Sequence, residues 1–378
     1  MKDNQRGSEG DGVAGGTIFI GPLEVKTSQG PESVQGKVPK LIKGIEEIGY
    51  EESSQHCSGT NMENSSYSHP SLLTLSFGQI MEVKYFYSAL VLLCFVMIVV
   101  SNGAVISAIV IHRSLQEPMF IFVAFLCVNG LYGSLIFFPF LFVNLLSKTH
   151  VISYIGCIIQ VFSIHTFISC EVTILAVMAF DRYVCICNPL RYKSIMSLAT
   201  VFKLIGAAWL YVITLITIHL ILTIRLPLCG SVIQKIYCDN WSVVRLSCID
   251  TTVNNVFGLL ITAAITCLMP VLTLVSYVQI LWVCMQSSKV FRAKALQTCT
   301  PHLITLTYFV ADVLFEILLP RFPSTVLPYE LRILMSVQAF VIAPILHPLI
   351  YGWKLREIRL RVLQMFGATQ IANLQNNL

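Results

Sequence analysis

Asp181 and Arg182 stand side by side where a long apolar run, Ser153 to Phe180, gives way to polar sequence. Neither charge is tolerable alone in hydrocarbon, so the two belong where a helix meets water or lines a protein-walled vestibule. Glu171 precedes Arg182 by eleven residues. At the rise of an α-helix that puts a carboxyl about 16 Å deeper, near the middle of a membrane span, where an ionisable group is functional by default. Later in the chain Tyr308, Asp312 and Glu316 recur four residues apart, along one face of a helix. Two acids in an apolar span need a partner, and His165, Arg225 or an amine on a bound ligand would each serve. Phe162, His165, Ile168 and Ser169 lie at the depth where a pocket between helices forms beneath a loop. Nothing in the chain forms a catalytic set: there is no paired nucleophile and base at a water-accessible place, no phosphate-binding loop and no metal spacing.

The elements that must position these groups are membrane helices. The chain is 55% hydrophobic and 12% charged, too apolar for an ordinary soluble domain. Seven apolar spans fall at about Tyr85 to Ile111, Pro118 to Leu146, Ser153 to Cys187, Ala199 to Ile224, Val253 to Met285, Ala293 to Leu319 and Leu331 to Trp353. Each is near the ~20 residues that cross a hydrocarbon core. Backbone groups in lipid must be satisfied within the segment, and the strand alternation of a barrel is missing, so the spans are helices. The fold class is an all-α membrane protein, a seven-transmembrane helix bundle over 85–353. A short amphipathic eighth helix over 354–366 lies on the membrane surface, attracted by anionic lipid, and a tail follows at 367–378.

Residues 1–61 differ in kind. They are rich in Gly, Ser, Glu, Lys and Gln, lack periodicity and carry a net charge of −3, which leaves +8 for the remainder. They read as disordered, an upstream extension before a natural start at Met62, with 62–84 a short tail outside the cell. The basic residues are scattered at the ends of apolar spans rather than gathered on one soluble face, which excludes nucleic acid as a partner. One set of loops collects Arg113, Arg182, Arg191, Lys193, Lys289, Arg292, Lys294, Lys354, Arg356, Arg359 and Arg361; the other holds Lys148, Arg225, Lys235, Arg245 and Arg321. The first side is cytoplasmic by the positive-inside rule, with the amino terminus outside and the carboxyl terminus inside a plasma membrane. Sequons at Asn64 and Asn240 then fall outside, where glycosylation occurs. So do Cys157, Cys229, Cys238 and Cys248, whose oxidising surroundings favour disulfides in any of three pairings.

The run MAFDRYVCICNPLRY, Met178 to Tyr192, resembles the signature of odorant receptors, a branch of the rhodopsin-like G-protein-coupled receptors, at the inner end of their third helix. KALQTCTPHL, PLIYG and the opening MENSSYSHPSLLTLSFG resemble the same family. The resemblance implies a small odorant held between the third, fifth and sixth helices. It also implies a heterotrimeric G protein of the olfactory stimulatory type, with cyclic AMP as the signal. It gives Asp181, Arg182, Tyr183, Lys294, His302 and Tyr351 to the switch and the G-protein face. It pairs Cys157 with Cys238 and Cys229 with Cys248. The sequence requires no cofactor, and the one ion the resemblance introduces is sodium, or a proton in its stead, at Glu171. Two departures bear on that site. The family's second-helix aspartate falls at Gly130, beside Asn129, and its seventh-helix asparagine falls at His347. A neutral Glu171 hydrogen-bonded to His347 is the competing account, and the departures point to a divergent, fish-like lineage.

Two other readings stay open on sequence alone. A rhodopsin-like receptor for an endogenous amine or peptide would carry a tryptophan in the sixth helix, where Tyr308 is found nearby instead. A transporter or channel would line an ion path with Glu171, Asp312 and Glu316, but no internal repeat is apparent.

Overall fold

The computed structural model describes residues 69–77, 83–318, 329–354 and 356–365. The chain divides into two units, Met1–Ser65 and Ser66–Leu378, and every described residue belongs to the second. Residues 1–61, the sequon at Asn64 and the tail from 366 onward lie outside the described residues.

Among the described residues seven long helices make up the fold. They are α1 (Lys84–Ile111), α2 (Pro118–Leu146), α3 (Tyr154–Cys187), α4 (Leu198–Ile224), α5 (Thr252–Ala263 continuing through Met269–Met285), α6 (Lys289–Leu318) and α7 (Tyr329–Lys354). A shorter α8, Arg356–Met365, follows and buries Ile358 completely. Local chemistry sets the ends. Pro118 opens α2 from the first turn, where its missing N–H costs nothing. Ser153 and Ser197 cap α3 and α4 by accepting from the N–H of Gly156 and Thr200. Asn188-Pro189 ends α3. At its start α6 runs four residues beyond the apolar span, because Lys289 and Arg292 favour helix while their heads reach polar surroundings.

Two prolines reshape what hydropathy reads as plain spans. Pro270 cannot donate to the carbonyl one turn earlier, and Ala264–Leu268 takes up a π turn just before it, so α5 is not one regular helix. Pro348 likewise leaves the carbonyl of Pro344 without its helical donor, and Asn102 Nδ2 of α1 fills the vacancy at 2.8 Å.

Burial along the helices shows what surrounds them. Among the described residues five helices are long and apolar enough to cross a membrane, and the apolar windows of α2 and α3 are 61% and 72% buried while that of α1 is 17%. A helix as apolar as α1, with Leu92, Leu93, Val96 and Val100 exposed, is stable only against hydrocarbon. The central α3 packs against α2, α4, α5 and α6.

At the end where α3 begins, a three-stranded sheet covers the bundle in the order β2-β1-β3. Strand β1 (Leu72–Leu75) lies between β2 (Val151–Ser153), antiparallel to it, and β3 (Val232–Ile233), parallel to it. Leu73, Leu75 and Phe77 are buried in a cluster with Phe137, Tyr237 and Phe340. The bundle is helical as expected, and this small sheet is added to it by a segment that the sequence reads as a polar tail. Four residues alternating toward one face are too few to register as a strand until loop strands supply ladder partners on both sides.

At Gly133 a Cβ would stand 2.6 Å from the ring of Phe167, so α2 and α3 touch through a missing side chain. Gly133→Ala therefore overpacks the central pair, at a cost of about 1–3 kcal/mol. Its thermal unfolding in detergent should shift downward, while Gly103→Ala, with nothing within 4 Å of the new methyl, leaves the transition in place.

Candidate functional site

The groups that carry chemistry sit at three levels along α3. At the level nearest α8, Arg182 Nε donates to Asp181 Oδ2 at 2.8 Å, and the guanidinium's terminal nitrogen makes a second, shorter contact with the same oxygen. The other carboxylate oxygen, Oδ1, accepts from the hydroxyl of Tyr192 at 2.9 Å. Asp181 is fully buried and Arg182 nearly so. Tyr192 lies in the single turn Tyr192–Ile195, and its phenol is pushed above its ordinary pKa by burial and by the Asp181 carboxylate, so it remains a donor. Tyr192 closes the fifteen-residue run yet escapes a search for charges, because a loop tyrosine has no periodicity to mark it. Tyr183 is half-buried against a cluster formed by Ala179, Tyr277, Ile280, Cys284 and Cys299. Lys294 lies on α6, with its side chain outside the described residues.

Two turns deeper, His302 ties three helices together. Its Nε2 is 2.7 Å from the carbonyl of Leu175 on α3, and its Nδ1 is 2.7 Å from the hydroxyl of Tyr277 on α5. A carbonyl only accepts, so Nε2 carries the hydrogen and the neutral ring takes the Tyr277 hydrogen at Nδ1. None of its hydrogen bonds goes to Arg182. Tyr277, absent from the sequence-derived set, is the partner that makes His302 a junction.

At mid-span Glu171 is fully buried with both oxygens engaged. Oε1 meets His347 Nε2 of α7 in a very short contact, and Oε2 accepts from Asn129 Nδ2 of α2 at 2.7 Å. Asn129 also donates to the carbonyl of Phe167 at 3.0 Å. Tyr351 is buried one turn along α7, its ring stacked on His347 with centroids 6.2 Å apart.

The residues assigned to a ligand are not gathered into one contact set. Phe162, Ile168 and Tyr308 pack on the central core, and Ile168 also touches the cluster beneath the sheet. Ser169 is buried. His165 gives its Nδ1 hydrogen to Val161 of its own helix at 2.8 Å, which leaves Nε2 as an acceptor. Gln338 Nε2 of α7 donates to Asp312 at 2.5 Å. Arg225 is exposed at the end of α4. The side chain of Glu316 lies outside the described residues.

Above this level the loop between α4 and α5 is fastened by disulfides Cys157–Cys238 and Cys229–Cys248. Cys238 N–H also donates to Gln160 Oε1 at 2.8 Å. Asn240 departs from its reading as a glycan acceptor. It is 5% exposed, its amide nitrogen is 2.9 Å from His219 Nε2 of α4, and its oxygen accepts from Thr223 at 2.8 Å. A glycosylated nitrogen would have to leave that interior network. The adjacent Asp239 caps the helix Asn240–Val244 through the N–H of Ser242. Burial alone would raise its carboxyl, but the Lys235 ammonium at 2.7 Å and the Ser242 N–H outweigh it and hold the pKa at about 2.

A bundle shut at one end by an ion pair, tied through its centre by buried polar contacts and roofed at the other by a disulfide-fastened loop has the build of a seven-helix membrane receptor. The comparisons agree: residues 54–369 match the olfactory receptor family. Olfactory receptor 52D1 of Homo sapiens is 32% identical over 296 residues, 77% of this chain and 93% of that protein. Olfactory receptor 12D3 of Homo sapiens is 31% identical over 301 residues, 78% of this chain and 93% of that protein. Olfactory receptor 5AP2 of Mus musculus is 35% identical over 276 residues, 72% and 85% respectively. The chain belongs to the olfactory receptor family: it is an odorant-binding receptor of the G-protein-coupled class, and not an enzyme.

Two outcomes follow from the loop. Because Asp239 is depressed in the fold, its stabilising contribution is complete above the ordinary carboxylate value near ~3.9 and is lost as pH falls through about 2. It amounts to roughly 2 kcal/mol, and Asp239→Asn should remove that part of the acid sensitivity of unfolding. Mass mapping after glycosidase digestion should find the peptide bearing Asn240 unmodified, and a glycan there would contradict the buried network.

Proposed function

We propose that this receptor binds a small odorant among α3, α5 and α6, beneath the sheet and the disulfide-tied loop. In this reading the bound odorant favours an arrangement in which the α8 end opens to a stimulatory G protein and raises cyclic AMP. The observation that carries the reading is the Asp181–Arg182–Tyr192 latch: a buried guanidinium, held by a carboxylate that a loop tyrosine holds in turn, is a group stored for release. A ligand shifts a two-state bundle only through differential affinity for its states, so each site must favour one of them. The orientation we assign places the basic α8 end in the cytoplasm and the amino terminus outside the plasma membrane. Lys294, His302 and Tyr351 complete the switch; Phe162, His165, Ile168, Ser169, Tyr308, Asp312 and Glu316 supply the walls from which the odorant site is drawn.

A cyclic AMP assay in cells expressing the full chain tests this. Tyr192→Phe removes one hydrogen bond to a charged group, about 1.5 kcal/mol, which is roughly ten-fold in the resting-to-active ratio. Ligand-free cyclic AMP should rise several-fold at equal surface expression, and Arg182→Ala should abolish the response to a panel of odorants. An unchanged baseline in Tyr192→Phe, or membrane current in place of a nucleotide response, would defeat the proposal.

A further inference from the structure

The family resemblance brings a sodium ion to Glu171, and the residues assembled around that carboxyl do not fit one. A hard cation gathers oxygen ligands and negative charge. Each oxygen of Glu171 instead faces a nitrogen, His347 Nε2 on one side and Asn129 Nδ2 on the other. Position 130, where the resemblance puts a second carboxylate, is glycine. A Cβ there would stand 3.3 Å from the Cβ of Pro344 and 3.5 Å from its Cα, so α7 has closed over the space a carboxylate would need. The acceptors left over are neutral. Asn102 Oδ1 and Asn129 Oδ1 are buried with no hydrogen bond among the described residues, a need that the O–H donors of water meet without adding charge.

The charge count agrees with the geometry. Removed from water, Glu171 and His347 are stable as a net-neutral pair that holds one proton between them, because an uncompensated charge at this depth is very costly. The other titratable groups facing the pair are the thiols of Cys127 on α2 and Cys170 on α3, the phenol of Tyr351 on α7 and the imidazole of His302 on α6. None is a carboxylate. Sodium would therefore enter only by expelling the proton, the imidazole, or both.

We infer that His347 is a tethered substitute for the ion: its imidazole, delivered by α7, occupies the place beside Glu171 that a diffusible cation would take, and the resting bundle binds no sodium there. The hydrogen bond between α3 and α7 is then made by a group covalently attached to the chain, and its presence does not depend on salt composition. This conclusion rests on the centre of the bundle alone and does not depend on which odorant or G protein the receptor uses.

The test uses the purified full chain in detergent, with its unfolding temperature followed as choline chloride is replaced by sodium chloride at constant ionic strength. A resident ion raises that temperature once its concentration passes its Kd. The expected result is a flat curve for the unaltered chain and a sodium-dependent rise for His347→Asn, which vacates the place and leaves the carboxylate; Glu171→Gln added to that variant flattens it again. A sodium-dependent rise in the unaltered chain that Glu171→Gln abolishes would overturn the inference. A flat His347→Asn curve would remove the imidazole as the reason sodium is kept out. If His347→Asn does not fold, the titration of the unaltered chain decides alone.

Discussion

Charge carried into hydrocarbon has to be answered from within the bundle, and that constraint organises this receptor. Three buried carboxyls show it. Asp181 is answered by Arg182 and Tyr192, Glu171 by His347 and Asn129, and Asp312 by Gln338. In each case the partner comes from another element or from the loop beyond the helix end, except for the adjacent Arg182. The polar contacts are therefore also the cross-links. Dispersion and apolar burial hold lipid-exposed helices together with little directional preference, whereas these bonds fix which helix faces which, and at what height.

The consequence is a bundle whose spine is α3 and whose least independent member is α7. Through His347 it is held to α3, through Gln338 to α6, and through the carbonyl of Pro344 to α1. The last of these exists because Pro348 withholds a helical N–H, so a break in the ladder becomes a joint between helices. His302 does the same for α6 and α5 at the level of Leu175. A change that favours a new position for one helix must break or carry these bonds, and packed interiors switch between discrete arrangements rather than deform continuously. That is the property a two-state receptor needs.

Much of this was legible in the sequence, for reasons that differ by residue. Asp181-Arg182 could be read because a charge pair ending an apolar run has few places to go, and the helices because lipid permits little else. Partners were harder. Gln338 and His219 are polar residues with apolar neighbours on either side, and hydropathy records them as slight dips, with no sign of the helix that faces them. Asn240 satisfies the chemistry of a sequon, but the motif says nothing of burial, and in the fold its amide serves His219. Strand β1 is invisible for a third reason: its four residues become a strand only between β2 and β3, which lie about 80 and 160 residues further along the chain.

Distance along the chain also hides how Gly130 and His347 meet at the level of Glu171. Gly130 and His347 look like two separate losses, a missing acid and a missing amide. In space they are one rearrangement. The glycine lets Pro344 and the rest of α7 approach α2, and that approach brings the imidazole of His347 onto the carboxyl that a second acid would otherwise have accompanied. Under the inference drawn above, losing a carboxylate and gaining an imidazole at the same spot keeps the buried charge balanced. The two substitutions thus compensate one another: restoring the acid without moving α7 would crowd Pro344, and removing the histidine without restoring an acid would leave Glu171 with Asn129 as its remaining donor.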